Sequence, residues 1–410
     1  MSHSSLDSNK FTSYQVFVIA ILAFLQFTII LDFMIMSPLG AILMPALNIT
    51  PAQFGTVVSA YAISAGFSGF LAAGFADRFD RKKLLLFFYA GFVIGTLFCG
   101  LAPSYYFLLG ARIFTGIFGG VIGSIVMAIS TDLFPFQMRG RVMGYLQTAF
   151  AASQILGIPA GLFFSNHWGW HSPFMMIVGV STVVGVVIVV YLKPVNAHLN
   201  QKNSENAFSH LVNTLKNTKY ILPFITTGLL SLGGYMLMPF SSAFTVHNLG
   251  ITIDKLPLIY LLTGIASMFI GPLIGKAADT FGKFQVFVFG SVVSIVMVLI
   301  YTNLGITPLL AVVLVNAVMF IGIFSRMIPS QALMSAIPRP ESRGSFMAVS
   351  ASLQQFAGGI ASLLAGLIVV EGAGGVLEHF DTLGYIIVVT TLVTMANMYI
   401  INRRINQPTT

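Results

Sequence analysis

The chain has 410 residues, 56% of them hydrophobic and only 8% charged, with a net charge of +8 and a single cysteine, Cys99. A soluble domain carries about 25% charged residues, and a mean hydropathy of +0.90 is more apolar surface than one core can hide. A disordered chain, a disulfide scaffold and an ordinary cytosolic enzyme are excluded, and a polytopic membrane protein of about twelve spans remains.

Residues 1–13 are polar, and an apolar stretch then runs from about Tyr14 to Leu43. It is about twice as long as a signal-peptide core and closes on no small-residue cleavage site, so it reads as a retained first span. Further apolar segments lie near 53–75, 84–102, 105–130, 142–164 and 173–192, then near 220–247, 257–275, 285–303, 308–335, 345–370 and 383–401. Their length and continuous apolarity predict helices, because a lipid-exposed span must satisfy its own backbone. A barrel would show short alternating segments instead. Counted with the N-terminus inside, 17 of the 20 lysines and arginines fall in cytoplasmic segments and only Lys255 in an outer loop. That asymmetry places both termini in the cytoplasm. It also makes the positive charge a membrane-surface feature, with no nucleic-acid partner expected. Trp168 and Trp170, in the turn after span five, suit an interfacial belt.

The polar stretch 193–219 divides the chain into a first six-span bundle, 1–192, and a second, 220–410. Within it Phe208, Leu211, Val212 and Leu215 recur at helical spacing beside Lys216 and Lys219. The pattern suits a short helix on the inner membrane surface or a flexible linker.

The two parts repeat one another. Gly74-Phe-Ala-Asp77-Arg78-Phe-Asp80-Arg81-Lys82-Lys83, after span two, has a weaker copy after span eight, Gly275-Lys276-Ala-Ala-Asp279-Thr-Phe-Gly282-Lys283. Arg139-Gly140 after span four is matched by Arg343-Gly344 after span ten. The offsets, 202 residues for the aspartates and 204 for the Arg-Gly pairs, describe parallel halves with a central site between them.

Gly-x-x-Asp-Arg-x-x-Arg-Lys between spans two and three resembles the signature loop of the major facilitator superfamily. The six-plus-six layout and Trp168-Gly169-Trp170-His171 at the five–six turn extend the resemblance over essentially the whole chain. Asp80 departs from it, standing where the family usually has glycine, and so does His171, where arginine is common. The resemblance implies an all-α membrane protein of twelve transmembrane helices in two pseudo-symmetric six-helix bundles, working by alternating access in a bacterial inner membrane. Asp77 lies near the negative end of span two, where its own helix dipole disfavours it, so it needs a positive partner. The start of span eleven near Ser345 is the candidate, and by the repeat Asp279 would face the start of span five near Val142. Gly74, Asp77, Arg78, Arg81 and Asp279 are therefore expected to latch the cytoplasmic side, the alternative being that these charges only set topology.

Asp32 is the only intramembrane carboxylate among twelve acids, and it is opposed by Arg112 and Arg326. Buried charges are costly, which makes each a functional candidate. Asp32 lies about 18 Å from the end of span one and Arg112 about 10 Å from the start of span four, so tilt or a break at Pro38 must bring them level. Burial disfavours an ionised carboxyl and a nearby guanidinium favours it. A contact made in one conformation and lost in the other is the minimum machinery of proton coupling, and a static pair is the alternative. Arg326, about 18 residues into span ten, has no acid near its depth. It is read as holding an anionic substrate group, receiving a lipid phosphate or snorkelling toward water.

Arg112-x-x-x-Gly116-x-x-Gly119-Gly120 is similar to the span-four motif of proton-exchanging family members. Gly157-Ile-Pro159-Ala-Gly161 in span five resembles the family's antiporter signature in shortened form. Pro159 removes a backbone donor and bends the helix, while Gly157 and Gly161 permit close packing. Gln26, Tyr61, Gln147, Gln154, Tyr235 and Tyr260 are candidates for a substrate lining, with Asn316, Arg326, Gln331, Gln354, Gln355 and Asn397. Each is equally a helix-to-helix hydrogen bond. The 19 methionines and 37 phenylalanines suit a plastic apolar cavity. His247 reads as structural.

No phosphate-cradling Gly-x-x-x-x-Gly-Lys-Ser/Thr loop occurs, so ATP is not the driver; no catalytic residue, metal site or cofactor is expected. The reading is a non-enzymatic, proton-coupled exporter of small amphipathic or lipophilic compounds, similar to the drug/proton antiporter and sugar-efflux branch. A monomer is expected, with substrate, protons and membrane lipid as its partners. A lipid or lysolipid transporter, an uncoupled facilitator and a non-transporting sensor or assembly partner are the alternatives.

Overall fold

The computed structural model describes residues 11–72, 79–196, 207–338 and 343–406, so Gly74, Asp77 and Arg78 of the signature loop lie outside the described residues. Among the described residues twelve helices are long and apolar enough to cross a membrane. Spans 1 to 6 are Ser13–Leu47, Pro51–Ala72, Arg81–Gly100, Tyr105–Leu133, Arg141–Trp168 and Ser172–Tyr191. Spans 7 to 12 are Thr218–His247, Ile253–Phe281, Lys283–Thr302, Leu309–Ser335, Arg343–Ile368 and Phe380–Ile405. Each predicted span is present, with its bounds moved by a few residues. The loop residue that departs from the family pattern has a local task. Asp80 is the N-cap of span 3 and accepts a hydrogen bond from the Lys83 backbone N–H at 3.0 Å.

Proline lies inside spans 1, 5, 7, 8 and 10 and accompanies a change of helix type in two of them, 5 and 7. Span 1 is 35 residues long, with Pro38 and Pro45 inside it. Span 5 changes to a π turn at Ser153–Gly157, directly ahead of Pro159, whose ring supplies no N–H to the preceding turn. Span 7 leaves the α-helix after Tyr235, passes through a 3-10 turn at Met238–Phe240 and resumes at Ser241–His247. The sequence reads span 7 as continuous; Pro239 breaks it. Between the bundles a helix forms at Ala207–Lys216 and packs against span 11. After span 11 a two-stranded hairpin, β1 (Val370–Glu371) and β2 (Leu377–Glu378), pairs Val370 with Glu378. Asn248 at the end of span 7 holds it, exchanging two 2.9 Å hydrogen bonds with the backbone of Leu377. Trp168 is exposed as an interfacial belt requires, but Trp170 is buried, with its ring 3.7 Å from that of His171. His171 in turn donates to the Gly100 carbonyl at 2.9 Å.

The apolar cores show which end is shut. At the end opposite most of the lysines and arginines, one cluster joins both bundles: Leu39, Phe54 and Leu162 from the first pack with Phe240, Leu256 and Tyr301 from the second. Among the described residues the buried cores at the basic end are two, with Phe70 of span 2 packed against the second. Ile19, Phe88, Ile125 and Ile188 belong to one, and Phe224, Phe287, Leu333 and Phe346 to the other. Spans 2 and 11 touch backbone to backbone at the closed end, where a Cβ on Gly55 would lie 2.6 Å from the Ser362 carbonyl oxygen.

Candidate functional site

Asp32 and Arg112 meet. Nη1 of Arg112 lies 2.8 Å from Oδ2 of Asp32 and 3.4 Å from its backbone carbonyl, and both side chains are fully buried. Thr96 in span 3 donates to the other carboxylate oxygen at 3.1 Å. Asp32 stands fifteen residues before Leu47 and Arg112 seven after Tyr105, so a span 1 that continues past Pro38 to Leu47 makes up the difference in depth. Nε and Nη2 of Arg112 have no hydrogen-bond partner. The Tyr61 ring, 4.3 Å from the guanidinium carbon, faces the cation instead.

The glycines after Arg112 place that ring. A Cβ on Gly116 would fall 2.5 Å from the Tyr61 carbonyl oxygen, and one on Gly120 would fall 2.2 Å from that of Ala65. Span 4 can therefore lie directly on span 2, with the Tyr61 hydroxyl against Gly119. Gly157 and Gly161 serve the aspartate from the other side: a Cβ on either would fall 2.7 Å from Leu31 or Ile35, the residues flanking Asp32 on span 1. In the π turn between them and the N-terminal part of span 5, Ser153 donates to the Phe27 carbonyl at 3.1 Å. A cavity of about 170 Å³ opens beside this crossing, lined by Phe27, Thr28, Leu31, Gly157, Met176 and others of spans 1, 5 and 6.

The remaining candidates scatter. Tyr61 is buried against Arg112 and does not present an open lining. Phe33 lies 5.4 Å from Tyr61 and 5.9 Å from Tyr235, an aromatic run from the ion pair across to the second bundle. The Tyr260 hydroxyl is 3.5 Å from that of Ser241. Asn316 donates its amide into its own helix, to Val312 at 2.9 Å. Gln355 lies at the span 2–11 crossing, against Gly66. Gln26, Gln154, Gln354 and Asn397 are half-buried, whereas Gln147 and Gln331 are exposed. Arg326 is only 8% exposed, so it does not snorkel to water.

Of the expected latch, Arg81 pairs with Asp132 at the end of span 4, 3.2 Å away. Asp279, near the end of span 8, pairs at 3.4 Å with Lys283 at the start of span 9. Sequence reasoning missed Thr96, Thr115 and the thiol of Cys99 as neighbours of the pair. Thr115 returns its hydroxyl to the Ala111 carbonyl at 2.7 Å and lies 3.7 Å from the Cys99 sulfur. Its place one turn after Arg112 was the available signal. Among the described residues no group of three or more His, Cys, Asp or Glu could hold a metal ion.

A sequence model of the Major Facilitator Superfamily matches residues 22–362 and again 223–408. The chain belongs to this superfamily. It is a non-enzymatic, integral multi-pass transporter of that family. An uncharacterized MFS-type transporter of Bacillus subtilis (strain 168), YceJ, is 25% identical over 349 residues, 84% of this chain and 87% of that one. Multidrug resistance protein 2 of the same organism is 25% identical over 247 residues, 58% of this chain and 61% of that one. Among solved structures, a bacterial homolog of the human lysosomal transporter Spinster, in an inward-facing and unoccupied conformation, superposes with a TM-score of 0.81 at 16% identity. The match covers 98% of this chain and all of that one, a likeness of fold.

Proposed function

We propose that the chain is a proton-coupled exporter of small amphipathic or lipophilic compounds, cycling between forms open at either end. Asp32 carries the proton and Arg112 tunes it. The observation that supports this reading is the fully buried 2.8 Å contact between Asp32, among the described residues the only carboxylate far from a span end, and an arginine whose other nitrogens lack partners. A proton arriving at Asp32 neutralises the acceptor and weakens the contact, so protonation is linked to any movement of span 1 against span 4. Relatives named for multidrug resistance agree with export. In this reading the basic end and both termini are cytoplasmic. The bundles are 1–192 and 220–410, joined by 193–219, and the Asp77 and Asp279 loops latch the cytoplasmic side when it closes. The protein works as a monomer.

The test uses purified protein in liposomes enclosing a pH-sensitive dye, with lipophilic cations, sugars and lysolipids added in turn. Substrate-triggered proton flux that disappears in Asp32→Asn is the expected result. Substrate movement indifferent to both the mutation and the pH gradient would overturn the coupling and leave an uncoupled facilitator.

A further inference from the structure

The second bundle contains a buried arginine without a counter-ion. Arg326 in span 10 is 8% exposed, and neither its Nε nor its Nη2 has a hydrogen-bond partner. Among the described residues no carboxylate pairs with it. The described acids of this bundle, Asp254, Asp279, Glu371, Glu378 and Asp381, all lie in loops or near span ends. On the same helix and on span 9, which packs against it, two more donors are idle. The hydroxyls of Ser325 and, in span 9, Ser294 are buried without partners. Ser291 and Ser330 on the same two helices close onto their own backbone at 2.8 and 2.9 Å, as serine in a membrane helix ordinarily does.

Close packing brings spans 9 and 10 together at this level. A Cβ on Gly290 would fall 2.4 Å from that of Ser325 and 3.0 Å from the backbone nitrogen of Arg326, and one on Gly322, a turn earlier, would fall 2.6 Å from the Ser294 hydroxyl. An arginine cannot shed its proton to escape such a site, and an unpaired buried charge is strongly unfavourable. The first bundle meets that cost with Asp32. The second has donors and no acceptor.

We propose that Arg326, with the hydroxyls of Ser325 and Ser294, is an oxyanion site. It takes the carboxylate, sulfonate or phosphate of an amphipathic molecule, so that the cargo is an amphipathic anion. This rests on the transporter reading, though not on its proton coupling. The ligand supplies the counter-charge that the chain lacks, and the guanidinium offers its planar fork of donors to it.

The full-length protein in phosphatidylcholine nanodiscs is melted with 2-naphthoate, 2-naphthyl phosphate, 2-naphthamide or 2-naphthylmethylammonium, four probes sharing one apolar body. The two anions should raise the unfolding midpoint by several degrees and the amide and amine should not. Arg326→Met should lose the anion response and Arg326→Lys keep part of it. Ser294→Asp, which supplies a fixed counter-charge and leaves the arginine in place, should also abolish the response, so the test survives a poorly folding Arg326→Met. Asp32→Asn should retain it, which separates failure of this site from failure of proton coupling. Nanodiscs containing phosphatidylglycerol distinguish the source. If a lipid phosphate is the natural anion, the lipid alone reproduces the shift in the wild type and naphthoate adds nothing; if a free solute is, naphthoate is still required. An anion response that persists in Arg326→Met, or an equal response to the amine, would overturn the proposal.

Discussion

Ser242 of span 7 donates its hydroxyl to the backbone carbonyl of Ser37 in span 1 at 2.8 Å, and accepts from the Ala41 N–H at 3.4 Å. The hydroxyl touches both ends of the rung between residues 37 and 41 of span 1. Ser37 returns a hydrogen bond to the Met238 carbonyl, at the break in span 7. Two proline-bearing helices, one from each bundle, are thus clasped at the closed end.

Replacing Ser242 by alanine removes the clasp and should weaken this closed form by about 1 kcal/mol, about fivefold in population. Spin labels at the exposed positions Trp168 and Ile306 lie on opposite bundles at this end, and Cys99 is buried and will not react. Distance measurements between them should show a longer component in Ser242→Ala. An unchanged distribution would mean the clasp holds nothing.

Gly55→Leu should act in the same direction and more strongly. The Ser362 carbonyl oxygen lies 2.6 Å from where the new Cβ would be, and it belongs to backbone that cannot rotate away. Overpacking of this kind costs about 1–3 kcal/mol. The cost falls only on the form in which spans 2 and 11 touch here, so the label pair should report mainly the open form.

The Asp32–Arg112 contact is open to a double-mutant cycle. Arg112→Met alone strands a buried carboxylate and should lower unfolding free energy by about 3–5 kcal/mol. Asp32→Asn added to it should recover most of the loss. Additive effects in thermal or denaturant unfolding would show that the two side chains do not depend on each other.

Pro159→Ala restores a backbone donor just after the π turn at Ser153–Gly157. The helix should regularise, raising the unfolding midpoint, since proline inside a helix costs about 3 kcal/mol. It should also draw Ser153 away from the Phe27 carbonyl and slow turnover several-fold. Faster melting, or turnover equal to the wild type, would contradict this.

The spans and the ion pair were legible in the sequence because both rest on scarcity. Long runs without charge leave few places for loops, and one carboxylate inside the membrane can have few partners. The clasp was not legible, since Ser37 and Ser242 are two hydroxyls among many and their meeting depends on how two distant helices cross. Tyr61 was read as lining, yet its ring faces Arg112 because Gly116 and Gly120 let span 4 settle onto span 2, a consequence of backbone proximity that no residue type announces. Asp279 pairs at 3.4 Å with Lys283, four residues on at the start of span 9; the contact expected of it with span 5 concerns a form closed at the basic end.

The shared apolar cluster at the closed end has a thermal consequence. To open there, side chains such as Leu39, Phe54, Leu162, Phe240 and Leu256 must part and be wetted. Wetting apolar surface raises heat capacity, and the attraction that resists it fades on cooling. Among the described residues no buried cluster joins the two cores at the basic end. Chilling therefore weakens the attraction that holds this closed end together.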